Sequence, residues 1–239
     1  MTVALGWLAL PGAPAPRPPD APPLPRPAPA PAWSEVVHPF EAYDLAGSPF
    51  AKLPLRYAAR RDHAGGARED TLTYGAPQPG TAFLRVAFLR RGAEPVPEAS
   101  VFLDAARLAG AAGLAVTRSG LSSRIDTRFG PFEVAGVVVE AAGRSGDCLA
   151  FRLADPAALP VLGLTGLACG TVEHPIDPVS LGCTIDRLDL VSAGDDEALR
   201  AVFVAAERRR RDGCAARGSV FIRLDEDRPP GTRPFGAPP

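Results

Sequence analysis

Lysine is almost missing from this chain. Lys52 is its one lysine, and arginine supplies the rest of the 26 basic side chains, against 27 Asp and Glu and a formal net charge of −1. That balance excludes a nucleic-acid binder, because displacing phosphate counterions needs a basic surplus. The arginine bias, with abundant Ala, Gly and Pro, fits the codon usage of a GC-rich bacterial genome, so single arginines are discounted as functional signals. Long apolar runs are missing too: no stretch reaches the roughly 18 residues that a membrane-spanning helix needs. There is no Cys-x-x-Cys pair, no His-Glu-x-x-His and no His-x-His among His38, His63 and His174, which argues against a zinc or other metal site. "GRSGD" and "TRSGLSS" are not Gly-x-Ser-x-Gly elbows. "GLTGLACG" has the wrong glycine spacing for a dinucleotide loop and reads as a tight irregular segment. No metal and no cofactor are expected.

What is present begins with an apolar run, Val3 to Leu10, with no basic residue before Arg17. Residues 1–10 therefore read either as the remnant of an export signal or membrane anchor, or as a cytosolic tail. Residues 11–32 are so rich in proline that neither helix nor sheet persists, and they are expected to form an extended spacer. From Trp33 the composition turns globular. At 46% hydrophobic residues the chain as a whole is not disordered.

Residues 33–224 are expected to form one α+β domain with a mainly antiparallel sheet and two principal helices, followed by a disordered tail over 225–239. "LPLRYAARRD" and "TLTYG" flank Gly65-Gly66 as a hairpin. In "TAFLRVAFLRR" Leu84, Val86 and Phe88 share one face. Val101, Phe102, Ala105, Leu108, Ala109 and Ala112 form the buried stripe of a first helix that Gly113 ends. "RFGPFEVAGVVVEAA", "DCLAFRLAD" and "TIDRLDLVS" read as strands, and "GSVFIRL" as a last one. A second helix starts at Ser192 or Gly194, with Asp195, Asp196 and Glu197 in its first turn and Arg208 to Arg211 in its last. Its apolar face is Leu199, Val202, Phe203 and Ala206.

Cys148, Cys169, Cys183 and Cys214 are an even set. Two disulfides fit an oxidising compartment, and nearest-neighbour closure favours Cys148–Cys169 with Cys183–Cys214. Four buried thiols in a reduced compartment are the alternative. "RRDHAGGARED" reads either as an anion-binding loop built on Arg60, Arg61 and Arg68 or as a solvated hairpin end. The run Arg208 to Arg211 reads as a solvated helix end, or as a contact for an anionic polymer such as a cell-wall glycan.

The stretch "CGTVEHPIDPVSLGCTIDRL" (169–188) resembles the L,D-transpeptidase signature, in which a His-Gly-Thr segment precedes Ser-x-Gly-Cys and the cysteine is the acyl-accepting nucleophile. Gly170, Thr171, Ser180, Gly182 and Cys183 match. Cys169 stands where the family has histidine, Leu181 stands before Gly182-Cys183, and Ile185 replaces an arginine. The resemblance implies a cysteine acyltransferase using Cys183, with His174 as the base. From Phe40 to Cys214, "CLAFR", "CTIDRLDLVSAGDD" and "AERRRRDGC" are similar to a group of small alphaproteobacterial proteins that are exported or membrane-anchored. That similarity implies a shared fold and four-cysteine pattern, and no activity. The reading that follows is a non-catalytic binding or structural module of the bacterial envelope, periplasmic or tethered to the membrane facing the periplasm, with an envelope protein or glycan as partner. A cytoplasmic protein and the Cys183 acyltransferase are the alternatives.

Overall fold

The computed structural model describes residues 33–92, 99–155, 159–210 and 214. The expected signal remnant, spacer, last strand and tail lie outside these residues. Eight of the strands among them form one antiparallel sheet built from two meanders. The first contains β1 (Trp33–Glu35), β3 (Leu55–Asp62), β4 (Arg68–Tyr74) and β5 (Phe83–Arg90). The second contains β6 (Ala115–Thr127), β7 (Gly130–Ala141), β8 (Arg144–Leu153) and β9 (Leu162–Cys169). They join where β5 pairs with β9, from Phe83 opposite Cys169 to Arg90 opposite Leu162. A short ribbon pairs β2 (Tyr43–Leu45) with β10 (Leu188–Leu190).

Period-2 alternation sends each strand's side chains to two faces. One face of the joined sheet carries Leu84, Val86, Phe88, Phe132, Val134, Phe151, Leu162 and Leu164. It is covered by the ribbon, by α2 (Pro178–Ile185) and by α3 (Glu197–Arg208), with Tyr43 stacked on Phe88 at 3.9 Å between ring centroids. The opposite face carries Phe83, Ala135, Val137, Val139, Ala150 and Leu167 under α1 (Val101–Gly110). Helix α1 buries Val101, Ala105, Leu108 and Ala109, while Phe102 stays partly exposed. Ser100 caps it by accepting from Leu103 N.

The α+β antiparallel architecture is as expected, with three differences of detail. Helix α2 adds a third helix to the two expected, and it takes the Thr184–Ile185 end of "TIDRLDLVS" out of the expected strand, which is confined to Leu188–Leu190; Asp177 accepts from the Val179 and Ser180 amides and Pro178 occupies the first turn, which is a helix start. Helix α3 begins after Asp196 rather than at Ser192 or Gly194, because the Val191 and Ser192 amides are bound to Ala42 O and Gly194 takes a positive φ of 57°. "GLTGLACG" is not irregular; it supplies the buried strand β9. Its glycines make room for neighbours: a Cβ at Gly166 would lie 2.0 Å from Phe151 Cζ. The β7–β8 hairpin turns through Ala142 and Gly143, at φ 49° and 73°, the mirror-image turn that suits strand twist.

The loop between β6 and β7 is pinned by a buried cation. Arg128 is 1% exposed. Its guanidinium donates to Leu188 O, to Glu207 Oε2 at 2.6 Å and to Asp189 Oδ1 at 3.2 Å, and it lies over the Phe129 ring at 4.9 Å. The Arg128 amide donates to Asp186 Oδ1 at 2.6 Å. One side chain thus ties the β6–β7 hairpin to β10 and α3.

Two stability effects are expected in urea unfolding. Gly166→Ala forces Phe151 from its place and costs about 1–3 kcal/mol. Arg128→Ala costs about 3 kcal/mol through the cavity and the lost clamp, whereas Arg128→Met, which refills the volume, costs less than about half of that.

Candidate functional site

Helix α1 covers the β6–β9 half of its face and leaves the other half open. There the side chains that alternation sends outward are Arg60 from β3, Glu69, Thr71 and Thr73 from β4, and Arg85 from β5. With the edge of α1, Arg60, Glu69, Thr71 and Arg85 of this set border a groove of two lobes. One cavity of about 470 Å³ is lined by Glu35, Thr71 and Arg85 among others, and a second of about 380 Å³ by Trp33, Arg91, Asp104 and Arg152. Arg60, Glu69 and Arg107 line both.

Charge in the groove is dense and only partly paired. Glu69, 7% exposed, accepts from Arg60 Nε at 3.1 Å and from Arg107 Nη1 at 2.9 Å. Arg60 also lies over the Trp33 ring at 4.8 Å, a cation–π contact that orients it. Asp104 faces Arg152 Nε at 3.6 Å and Arg107 Nε at 4.0 Å. Burial is the largest influence on Asp104 and raises its pKa, against the lowering pull of Arg152 and Arg107. Arg85 donates from Nη1 to Thr73 Oγ1 at 2.8 Å, and burial lowers its pKa.

The residues singled out from sequence are scattered. Arg60 lines the groove. Arg61, the next residue along β3, is sent to the other face and is exposed. Arg68 is committed to the fully buried Asp70, with Nη2 to Oδ1 at 2.6 Å, while Tyr57 donates to the same oxygen at 2.9 Å. The 60–70 turn itself is closed by Asp62, which accepts from the Ala64 and Gly65 amides. These three arginines do not converge on one loop. His174 is exposed, and its backbone is tied to Thr171: its amide donates to Thr171 Oγ1 and its carbonyl accepts from the Thr171 amide. Cys183 is buried on α2 and bonded to Cys214. Cys148 is bonded to Cys169, directly opposite it across β8 and β9. The pairing is the one nearest-neighbour closure favoured.

No family model, curated protein or solved structure matches the chain. The site is therefore read from its own geometry. Two disulfides are bonds of an oxidising compartment. Among the described residues no helix is long and apolar enough to cross a membrane, and no group of three or more His, Cys, Asp or Glu is placed to hold a metal ion. Sequence reasoning missed Glu69, Arg85, Asp104, Arg107 and Arg152. The available signals were the arginine interrupting "FLRVAF" on its polar alternation and the Asp104–Arg107 spacing of opposite charges one turn apart on α1.

Asp104 gives the site a pH signature. Burial holds its folded pKa above the ordinary aspartate value, so the folded state binds its proton more tightly than the unfolded state does. That contribution to stability is full below the unfolded pKa and is lost as pH rises through the folded one. The stability difference between wild type and Asp104→Asn is expected to favour wild type more at about pH 3 than at about pH 7. Urea unfolding at the two pH values checks it, and a difference that grows with pH refutes it.

Proposed function

We propose that this protein is a non-catalytic binding module of the bacterial cell envelope, stabilised by its disulfides and facing the periplasm. The observation that carries this reading is the state of Cys183. Acyl transfer needs a thiolate that is reachable and next to a base. Here the Cys183 sulfur is bonded to Cys214 and the residue is buried. All four cysteines of the chain are spent in bridges. The likeness of residues 169–188 to the transpeptidase signature is then a likeness of helix α2 and its approach, with the sulfur serving structure.

The disulfides also support the envelope assignment, because thiols in a reduced cytosol do not persist as bridges. The proline-rich residues 11–32 suit a spacer that holds the domain off a membrane. The resemblance to exported alphaproteobacterial proteins points the same way. The solvent-open groove beside α1 is the natural seat for a partner, either a glycan or a protein of the envelope.

Intact mass of the non-reduced protein, with alkylation in denaturant, tests the reading. No alkylation, and a mass about four hydrogens below the reduced form, is expected. A single fast-reacting thiol at Cys183 in the folded protein overturns it in favour of the acyltransferase. Four alkylated cysteines overturn the envelope assignment.

A further inference from the structure

The floor of the groove holds a cation, Arg85, that no carboxylate of the described residues pairs with. A guanidinium has five N–H donors and no acceptor. In Arg85 one nitrogen, Nη1, reaches Thr73 Oγ1, and Nε is shut off from solvent with no partner. No carboxylate among the described residues comes within ion-pair distance of Arg85. The charges that act on it are Glu69 on one side of the balance and Arg107, Arg56 and Arg60 on the other. Glu69 does not restore neutrality, because its two oxygens already serve Arg60 and Arg107. A charge half-withdrawn from water without a partner is costly, and a planar guanidinium fork is the geometry that matches a carboxylate or a phosphate.

The surroundings fit an incoming oxyanion. The cavity over Arg85 is about 470 Å³, room for a charged group together with the small body that carries it. Thr71 adds a hydroxyl to the lining. Arg60 and Arg107 stand at the rim with side chains 41% and 40% exposed, and the N–H groups that each keeps beyond its bonds to Glu69 are free to meet a ligand while Glu69 stays paired.

We propose that the groove between α1 and strands β3 to β5 is an oxyanion-binding site, in which Arg85 on the floor and Arg60 and Arg107 at the rim hold a phosphate or carboxylate group of a small anionic molecule or of an acidic glycan end. The inference rests on the binding-module reading and names the chemistry of what is bound. Arg61 and Arg68, which share the β3–β4 hairpin with Arg60, take no part.

Calorimetric titration of the full chain with inorganic pyrophosphate and with trigalacturonate tests it. Binding of at least one probe is expected, weakened about tenfold or more by Arg85→Gln, and left unchanged by Arg61→Gln. Pyrophosphate binding alone identifies a free small anion, and trigalacturonate binding identifies an acidic glycan end. Arg107→Gln, on the solvent side of the helix, is expected to weaken binding several-fold while leaving the far-ultraviolet circular dichroism of the wild type. It keeps the test decisive if Arg85→Gln does not fold. Failure of the wild type to bind either probe in the millimolar range overturns the proposal. So does equal affinity in folded Arg85→Gln and wild type, or in Arg107→Gln and wild type. None of these failures alters the alkylation result, so the site and the binding-module reading fall separately.

Discussion

The structure depends on the pairing of β5 with β9. Each meander alone leaves two strand edges unpaired, β1 and β5 in the first and β6 and β9 in the second. Bringing Phe83–Arg90 against Leu162–Cys169 closes a long loop, a cost that grows slowly with length and is offset only once apolar surface is buried across the seam. Leu84, Val86 and Phe88 on one side, with Leu162, Leu164 and Ala168 on the other, supply that burial on a single face. Everything that covers this face, from the Tyr43 ring to Phe203 of α3, takes its position from the seam.

The two disulfides act at different places in this arrangement. Cys148–Cys169 staples β9 to β8 at the end of the seam, inside the apolar layer under α1. Cys183–Cys214 ties α2 to the chain beyond α3, next to Asp186, which also accepts from the Arg128 amide. Cross-links narrow the unfolded ensemble. Here they act on the half of the chain with the most glycine in its strands. Arg128 performs a related task by polar means, since exposed acids neutralise its charge while its body fills space among buried residues.

The opposite face follows another rule. Helix α1 reaches only half of the sheet, so the alternation of β3, β4 and β5 delivers Arg60, Glu69, Thr71, Thr73 and Arg85 to a surface that no element among the described residues seals. A sheet face left partly open needs polar residues, and an open face beside a helix edge makes a groove. The same alternation separates Arg60 from Arg61 and sends Arg68 to Asp70, which is why adjacency along "RRDHAGGARED" did not become adjacency in space.

Much of the framework was legible in the chain itself. Alternation marked β5 with its buried face, Gly65-Gly66 marked the β3–β4 hairpin, the apolar stripe from Val101 to Ala109 marked α1, and acids before Leu199 marked α3 to within a few residues. Those signals are local, since a period of 2 or 3.6 and a capping side chain are properties of short segments. The order of strands in the sheet, the stretch Ala115–Thr127 as its far edge, Gly166 of β9 fitting under Phe151, and the burial of Arg128 were decided only by the tertiary structure. So was the gathering of Arg85, Arg107 and Arg152 from a strand, a helix and another strand into one groove. A lone arginine carries no mark of its neighbours in sequence; what it does depends on which counter-charges the fold brings within reach, and for Arg85 no carboxylate among the described residues comes within ion-pair distance.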